Sequence, residues 1–518
     1  MMERSTCVEN GINPKAVYDF VVGCREKKLG LDAFMLLKGG KVVAEGYYAP
    51  YDRSTRHVLY SMSKSFTATA IGFAMADGLL ALDDPISRFF PAYRMRGLNR
   101  RITVRHLLTM RAGKLVPMTK IHKDKDHIRK FLQTPFLSKP GKRFTYISDN
   151  YYVLSVIIGV VTGRNTAEYL YEKLFAPLGI EKPLWETDTH GNCSGGWGLY
   201  LSIEDQAKVW QCYANGGKWE GRQVIPAEWI AQATDFQTPT VRRGQIDVTK
   251  GYGLGFWRLS LPNSYRAYGL HGQYGYVFED RDTVLVVNAG ISKDFLLAAE
   301  INKMYCTLWD APDVAYERKL AELLADLGDK DNLPIELRNE RLEEMISNMP
   351  MIPPKLSGFA SMLHATMTTV MYKTVGHMAS FQLTRDADNE LYLLWKEKDY
   401  VNKIKLGFHN RYECSPFCLA GIEYHAYAKA AWTKAKVLTV YFRIAEGCHL
   451  RILEFDFSGK YPVIRNNSFP DMPSLAVYYL DFLGFPLPEL PERLLMRHIA
   501  PAILLVVEPN FRVRIKGN

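Results

Sequence analysis

The sequence predicts an α/β (α+β) protein in which helices and strands are mixed, followed by a separate part built mainly of strands. Three observations lead to this prediction. An apolar hairpin pattern at 33–48 runs directly into an apolar helix that begins near residue 61. The pattern then alternates between helical and strand-like segments as far as about residue 309. Beyond residue 350 the runs are β-branched, aromatic and alternating, which is typical of strands.

The N-terminal elements follow in order along the chain. Two strand-like runs flank Gly39-Gly40, the usual residues of a hairpin turn. The next segment has apolar residues at helical spacing, which predicts one buried helix face: Met62, Phe66, Ala70, Phe73 and Ala74. Residues 100–180 are predicted to be mainly helical. Residues 282–290 and 296–309 are predicted to be a buried strand and a closing helix.

Three domains are expected: a mixed domain at 1–309, a helical linker at 310–349 and an antiparallel, barrel-like β domain at 350–518. The linker begins with an amphipathic pattern that includes Leu320 and Leu324. It ends in a proline-rich break, "MPMIPPKLSG", at 349–358.

Composition excludes several classes of protein. The chain has 518 residues, a formal net charge of +10 and a pI of about 9.0, with acidic and basic residues mixed along its length. No basic run with interleaved aromatics stands out, so a nucleic-acid partner is not expected. No apolar run is long enough to span a bilayer, and no signal peptide is recognised. The eight cysteines are scattered, so we expect free thiols and a cytoplasmic protein.

The stretch "YSMSKSFTATAIGFAMADGLLALDDPI" at 60–86 carries the candidate chemistry. A lysine three residues after a serine on a helix lies on the same face, so Lys64 can approach the Ser61 hydroxyl. A buried lysine can lose its proton and act as a base, which a serine nucleophile needs. An unpaired N–H in the first helical turn can also stabilise an oxyanion. By itself, however, a serine at a helix start is often only a cap.

Several further segments, in order, resemble the serine β-lactamase and penicillin-binding-protein superfamily. The resemblance is to its class C β-lactamase, D-alanyl-D-alanine carboxypeptidase and esterase branch, and it covers about 25–309. Besides 61–91, the segments that carry it are "ITVRHLLTMRAG", "PGKRFTYISDNYYVLSVIIGVVTGR", "GGWGLYLSIEDQAKVWQCYANGGKWEGRQVIPAEWI", "GYGLGFW" and "YGLHGQYGYVFEDRDTVLVVNAG". The resemblance implies an antiparallel sheet flanked by helices, with an inserted helical subdomain and the site between them.

The resemblance also implies roles for single residues. Ser61 is the expected nucleophile and Lys64 its proton partner. Tyr146 matches the tyrosine of the Tyr-x-Asn motif and is the expected general base and acid. Ser148 replaces the asparagine of that motif, and a Tyr-x-Ser sequence is similar to the branch that hydrolyses 6-aminohexanoate oligomers. Ser148 is expected to bond the lysine or a substrate carbonyl.

The third family motif, Lys-Thr-Gly in many members, is altered and has two registers here. His271-Gly272-Gln273 places His271 at the lysine position, with the second oxyanion N–H from Tyr274. Leu270-His271-Gly272 keeps the glycine, with that N–H from Gln273. The second register is preferred, because Gly272 then permits close approach of substrate. Neither register supplies a lysine for a substrate carboxylate, and His271 can instead be a structural histidine.

The sequence therefore predicts a serine hydrolase that forms an acyl-enzyme with a small ester or amide substrate, including peptide-like amides, without a metal or organic cofactor. β-Lactamase or D-amino-acid peptidase activity is one alternative. A penicillin-recognising sensor without turnover is another. His122 and His127 are expected in a solvated loop or entrance rim rather than at a metal. The β domain is expected to pack over or beside the cleft and to restrict substrate size. Oligomeric state has no signal in the sequence.

Overall fold

The computed structural model describes most of the chain. The described residues are 1–115, 126–240, 250–329, 340–347, 350–353, 361–364, 367, 378–471 and 510–515. We refer to 1–329 as the N-terminal part and to 340–515 as the C-terminal part. Among the described residues, no helix combines the length and the apolar character that crossing a bilayer requires.

The N-terminal part mixes strands and helices, as the sequence predicts. Its strands are Leu31–Lys38 (β1), Lys41–Tyr47 (β2), Arg56–Val58 (β3), Leu184–Trp185 (β4), Leu199–Ser202 (β5), Lys218–Trp219 (β6), Arg222–Gln223 (β7), Trp257–Arg258 (β8), Ser264–Gly269 (β9), Gln273–Phe278 (β10) and Thr283–Ala289 (β11). Its helices are Pro14–Glu26 (α1), Ser63–Ala76 (α2), Val104–Leu108 (α3), His127–Gln133 (α4), Asp149–Thr162 (α5), Thr166–Leu170 (α6), Ile203–Ala214 (α7), Ala227–Thr234 (α8), Phe295–Thr307 (α9) and Ala315–Ala325 (α10).

The main sheet has six strands in the order β2-β1-β11-β10-β9-β8, and every pair is antiparallel. The predicted hairpin is confirmed, since β1 and β2 meet at Gly39 and Gly40, which both have positive φ. The predicted buried strand and closing helix are confirmed as β11 and α9. Helices α1 and α9 pack together and α7 packs on β10 and β11, which buries the sheet between helices.

The C-terminal part is rich in strands. They are Met351–Ile352 (β12), Met378–Arg385 (β13), Leu391–Glu397 (β14), Tyr400–Lys405 (β15), Glu413–Leu419 (β16), Ile422–Lys434 (β17), Val437–Ile444 (β18), Leu450–Asp456 (β19), Val463–Phe469 (β20), Phe511–Arg512 (β21) and Arg514–Ile515 (β22), and they are preceded by helix Glu340–Ile346 (α11). They form two antiparallel sheets, β15-β14-β13-β12-β22 and β16-β17-β18-β19-β20-β21. Most of the proline-rich break at 349–358 lies outside the described residues.

The expected barrel does not close in the part that the structure describes. Strands β15 and β16 lie side by side, but side chains replace a backbone ladder between them. The Asn402 amide bonds both the N–H and the C=O of Cys418, at 2.8 and 3.0 Å. The Ser415 hydroxyl accepts from the Lys405 N–H at 2.9 Å. The two sheets therefore meet without becoming one continuous sheet.

The interior divides into two hydrophobic clusters, and the second crosses between the two parts. Leu320 and Leu327, in and after α10, belong to the cluster of the N-terminal part, whereas Leu342 of α11 belongs to the other. That second cluster also contains Tyr60 and Tyr200, which lie in the N-terminal part. The C-terminal part thus packs directly against the segment that leads into α2.

Hydrogen bonds to backbone carbonyls and an ion pair join the two parts. The Val58 N–H donates to the Glu446 carbonyl at 2.7 Å, and the Tyr51 hydroxyl donates to the Gly447 carbonyl at 3.0 Å. The buried Lys429 ammonium pairs with Asp329. These contacts fix the loop at 445–449 against the end of β3.

Candidate active site

Ser61 lies where the small sheet β3-β5-β4 meets helix α2. It belongs to a 3₁₀ turn, Tyr60–Met62, that continues directly into α2. Tyr60 has a φ of 46°, a conformation that non-glycine residues rarely adopt and that is common beside functional residues. Residues 63–74 of α2 are all buried, because α5, α6 and α8 surround the helix. The serine therefore sits at the fixed end of a central helix.

Lys64 lies one turn further along and contacts Ser61, as the spacing predicts. Its Nζ lies 2.7 Å from Ser61 Oγ and donates to the Gly196 carbonyl at 2.7 Å. The side chain is 1% exposed. Burial lowers the pKa of the Lys64 amine well below its ordinary value, and the nearby Asp149 carboxylate opposes this only in part. A neutral amine beside a serine hydroxyl can accept its proton.

Tyr146 lies next to this pair. The Lys64 Nζ is 4.9 Å from the centre of the Tyr146 ring. Trp257 stacks on the same ring at 5.6 Å with an interplanar angle of 27°, and Tyr252 meets it edge-on at 6.4 Å. The buried aromatic contacts fix the phenol ring beside the amine. The structure thus brings Ser61, Lys64 and Tyr146 together.

Ser148 is close to the site, but Gly196 lies between it and the lysine. A Cβ at Gly196 would lie only 2.8 Å from the Ser148 carbonyl oxygen, so glycine is needed for this approach. The described hydrogen bonds of Lys64 go to Ser61 and Gly196, and none goes to Ser148. The expected bond from Ser148 to the lysine is replaced by the Gly196 carbonyl.

Behind Ser148, Asp149 pairs with His127, whose Nε2 lies 2.9 Å from Asp149 Oδ1. Both side chains are buried. The expectation of a solvated loop was therefore wrong for His127, which packs on Tyr152 and against α5. His122 lies outside the described residues.

The third-motif residues lie at the turn between β9 and β10, and their side chains contact the core. Gln273 donates to the Ala289 carbonyl at 2.6 Å and accepts from the Asn288 amide at 2.9 Å. A Cβ at Gly272 would meet Leu297, Ala289 and Ile291. His271 has a φ of 67° and its Nδ1 lies 3.1 Å from the Ile291 carbonyl.

The position of Gln273 and Tyr274 in β10 affects both registers of the motif, because each register takes an oxyanion N–H from one of these residues. Strand β10 lies between β9 and β11. Tyr274 pairs with a residue of each neighbour, and Gln273, at the start of the strand, pairs with Gly269 of β9. Backbone groups in an interior strand are used by the ladder. Tyr274 is therefore not well situated to offer an N–H to substrate, and Gln273 is already paired with Gly269.

The end of β9 approaches Ser61 instead. Within β9, strand β8 pairs with Tyr265 and Arg266. The later residues of β9 instead lie beside the 3₁₀ turn that contains Ser61. A Cβ at Gly269 would lie 2.2 Å from the Leu59 carbonyl oxygen, so the two backbones are in direct contact. Within the described residues, the N–H groups of Ser61 and Leu270 donate no hydrogen bond.

Sequence reasoning assigned no role to Gly196 or Trp257, and it named Leu270 only as the first position of one register of the third motif. The run Gly195-Gly196 and the aromatic of "YGLGFW" were visible signals. Leu270 could be found only from the pairing register of β9 and β10.

One compact group of residues in the described part could hold a metal ion. Ligand atoms of His271, Cys448 and His449 lie within 4.8 Å of one another, and all three residues are buried. This group lies behind the β9–β10 turn, and its Nε2–Nε2 contact of 3.3 Å is also a normal hydrogen-bond separation.

Comparison with known families agrees with this geometry. The model of a family described as Beta-lactamase matches residues 26–295, which is more than half of the chain. The chain belongs to the Beta-lactamase family. The match contains Ser61, Lys64, Tyr146 and the β9–β10 turn. The sequence-based recognition of the serine β-lactamase and penicillin-binding-protein superfamily is confirmed.

Two curated relatives match parts of the chain. The 6-aminohexanoate-dimer hydrolase of Paenarthrobacter ureafaciens is 25% identical over 218 residues, 38% of this chain and 56% of that protein. Protein flp of Staphylococcus aureus (strain MW2) is 29% identical over 163 residues, 28% of this chain and 33% of that protein. The chain thus spans about a third to just over half of the length of these relatives.

A solved structure supports the fold. A Bacteroides dorei protein named a "putative beta-lactamase" superposes with a TM-score of 0.50 at 19% identity, covering 56% of this chain and 98% of that one. The predicted fold class is confirmed: an antiparallel sheet flanked by helices of the β-lactamase type, followed by a strand-rich part.

Proposed function

We propose that this protein is a serine hydrolase that forms a covalent acyl-enzyme at Ser61 with a small ester or amide. The observation that carries the proposal is the 2.7 Å contact between Ser61 Oγ and the buried Lys64 Nζ. Burial favours the neutral amine, which is the form that can accept the hydroxyl proton.

In the acylation step, Ser61 Oγ attacks the substrate carbonyl carbon while its proton passes to Lys64. The carbonyl oxygen becomes an oxyanion, and the N–H groups of Ser61 and Leu270 are the proposed donors to it. The Ser61 N–H also lies at the start of a helix, where the dipole favours negative charge.

In the second half of acylation, the bond between the carbonyl carbon and the leaving oxygen or nitrogen breaks. The leaving group takes a proton from the Tyr146 hydroxyl, and the protonated Lys64 amine then returns a proton to Tyr146. In deacylation, the oxygen of a water molecule attacks the acyl carbon while one proton of that water passes to the amine and phenol of Lys64 and Tyr146. The bond between the acyl carbon and Ser61 Oγ then breaks, the carboxylic acid product leaves, and Ser61 Oγ takes up the proton that the amine and phenol held. The cycle needs no cofactor.

The charge at the third motif bears on the substrate class. The third motif offers no lysine, and burial lowers the pKa of His271 to about 4, so that its ring is neutral. A substrate that depends on carboxylate recognition at this position is therefore disfavoured. The name of the Paenarthrobacter relative, 6-aminohexanoate-dimer hydrolase, supports a peptide-like amide as well as an ester.

The alternatives are β-lactam or D-amino-acid peptide hydrolysis, and a sensor that is acylated without turnover. A binding module has no need of a base and an acid beside its serine, so the group of Ser61, Lys64 and Tyr146 favours turnover.

The test is the initial rate with p-nitrophenyl acetate, p-nitrophenyl butyrate and nitrocefin, for the wild type, Ser61→Ala and Ser63→Ala. Ser63 is the matched control, because it precedes the same lysine but its Oγ accepts from the Leu199 N–H at 3.2 Å. We expect ester turnover that falls by at least about 10³-fold in Ser61→Ala and persists in Ser63→Ala. A stable adduct without turnover would favour the sensor. No turnover and no adduct with any reagent would contradict the proposed function.

A further inference from the structure

Three buried histidines lie at the contact between the two parts of the chain, directly behind the β9–β10 turn. His271 comes from the N-terminal part, and His364 and His449 come from the C-terminal part. The rings of His271 and His449 meet edge-on at 4.9 Å, and those of His449 and His364 stack at 3.9 Å with an angle of 10°. All three are at most 6% exposed.

Hydrogen-bond chemistry assigns the tautomer of His271 and the direction of its bond to His449. The Ile291 carbonyl can only accept, so His271 Nδ1, at 3.1 Å, carries a hydrogen. The neutral ring then has its lone pair on Nε2. His449 Nε2 lies 3.3 Å from this atom and must therefore donate to it. A hydrogen bond thus runs from a donor in the C-terminal part, His449, to an acceptor in the β9–β10 turn, His271.

His449 is itself held firmly. Its stacking partner His364 donates from Nε2 to the Pro470 carbonyl at 3.2 Å. The Arg451 guanidinium donates to the carbonyls of Met362 and Leu363, which fixes the segment that carries His364. The loop that carries His449 contacts the residue that follows β11, since a Cβ at Gly290 would lie 2.1 Å from the Cys448 carbonyl oxygen.

The other end of the bond lies at the proposed oxyanion donors. His271 is the residue next to Leu270, and its positive φ gives the turn its shape. The ring of Tyr60, which precedes Ser61, meets His271 at 5.6 Å and His449 at 6.3 Å. Each proposed donor is therefore adjacent in sequence to a residue that contacts His449.

We propose that His449, from the C-terminal part, is a positioning residue that sets the β9–β10 turn, and with it the Leu270 N–H, through a hydrogen bond to His271. The inference rests on the proposed function and adds to it a role for the C-terminal part. The catalytic unit then includes the strand-rich part, because the geometry of the oxyanion donors depends on a side chain that it supplies.

A hydrogen bond explains the pair better than a metal ion does. The guanidinium groups of Arg443 and Arg451 act on His449 electrostatically and disfavour added positive charge there. The two rings can also bond each other at 3.3 Å with one nitrogen as donor and the other as acceptor, which requires no added charge.

The test compares four proteins with p-nitrophenyl butyrate: the wild type, His449→Phe, His449→Gln and His409→Phe. Phenylalanine keeps the ring and its stack on His364 but cannot donate, whereas glutamine restores a donor at a similar reach. His409 is an exposed histidine of the same part and provides the matched control.

We expect kcat to fall by roughly tenfold to a hundredfold in His449→Phe, because small errors of position at a reacting group have effects of this size. KM should change less than about twofold if only transition-state contacts are lost. His449→Gln should recover most of kcat, and His409→Phe should match the wild type.

A variant at the other end of the hydrogen bond keeps the proposal testable if His449→Phe does not fold. His271→Asn keeps a donor for the Ile291 carbonyl and tolerates a positive φ, but it removes the acceptor Nε2. It should reproduce the loss in kcat, and the double variant should lose no more than either single one.

Three results would overturn the inference. One is an active wild type with unchanged kcat in His449→Phe. Another is an equal loss of kcat in His449→Phe and His449→Gln together with an equal fall in their melting temperatures, which would indicate a purely structural role. The third is one equivalent of tightly held zinc in the purified protein, measured by plasma mass spectrometry. A wild type without Ser61-dependent turnover would contradict the proposed function instead, and this inference with it.

Discussion

Acid should weaken the fold through the buried histidine at the turn, and His271→Asn tests this directly. The unfolded imidazole titrates near 6.5, whereas burial lowers the pKa of folded His271 to about 4. Between these values the unfolded state binds more protons, so stability rises with pH. The contribution is fully present above about pH 6.5 and is lost as the pH falls to about 4. At about 1.36 kcal/mol for each pKa unit, the loss is about 3 kcal/mol.

The assay is urea unfolding of the wild type and His271→Asn at pH 7 and at pH 4. The difference in unfolding free energy between the two proteins isolates this ring, because the carboxylates titrate in both. We expect the wild type to lose about 3 kcal/mol more than the variant on acidification. His364 and His449, whose pKa values are also lowered by burial, should leave some acid sensitivity in both proteins. An equal loss in the two proteins would refute the buried, neutral state of His271.

Three further predictions concern the reacting groups. Activity should rise with pH through a pKa well below 10.5, because only the neutral Lys64 amine accepts a proton, and a flat pH–rate profile would contradict this role of Lys64. Lys64→Met should lower kcat by at least about 10³-fold. Trp257→Leu removes the ring stacked on Tyr146 and should lower kcat about tenfold with little change in KM, as measured on the same ester. Gly196→Ala places a Cβ 2.8 Å from the Ser148 carbonyl oxygen, and the clash must displace the Gly196 carbonyl that accepts from Lys64. We expect kcat to fall at least tenfold by the same positioning argument. Unchanged kinetics would count against the contact between Gly196 and Lys64.

The contact between Ser61 and Lys64 could be predicted because its information is local. The spacing of Ser61 and Lys64 on one helix is enough to bring them together, and the structure has them 2.7 Å apart. Strands β1 and β11 were visible because each is a continuous apolar run between clear turn residues. Helix α10 was visible because its apolar residues repeat at helical spacing.

The third motif could not be predicted because its geometry depends on pairing register. Whether Leu270 or Gln273 faces the cleft depends on where β9 ends and how β10 pairs with it, and a shift of one residue exchanges the two faces. The buried pair of His127 and Asp149 was missed for a related reason. A histidine in a charged run looks exposed until a carboxylate 22 residues later in the sequence becomes its partner.

The C-terminal part shows the limit of strand patterns. Alternation predicts strands such as β18 and β19, but it does not tell whether neighbouring strands join by a backbone ladder or by side chains. Asn402 and Ser415 decide this between β15 and β16. The contact of His449 with His271 joins residues 178 positions apart, and no local pattern contains it.

The most direct test of the central claim is mass spectrometry of the protein after acid quenching during turnover of p-nitrophenyl butyrate. The account predicts that the wild type gains the mass of one butyryl group, that peptide mapping locates it on Ser61, and that Ser61→Ala gains none. A butyryl group on another residue, or full ester turnover by Ser61→Ala, would contradict the assignment of Ser61 as the nucleophile.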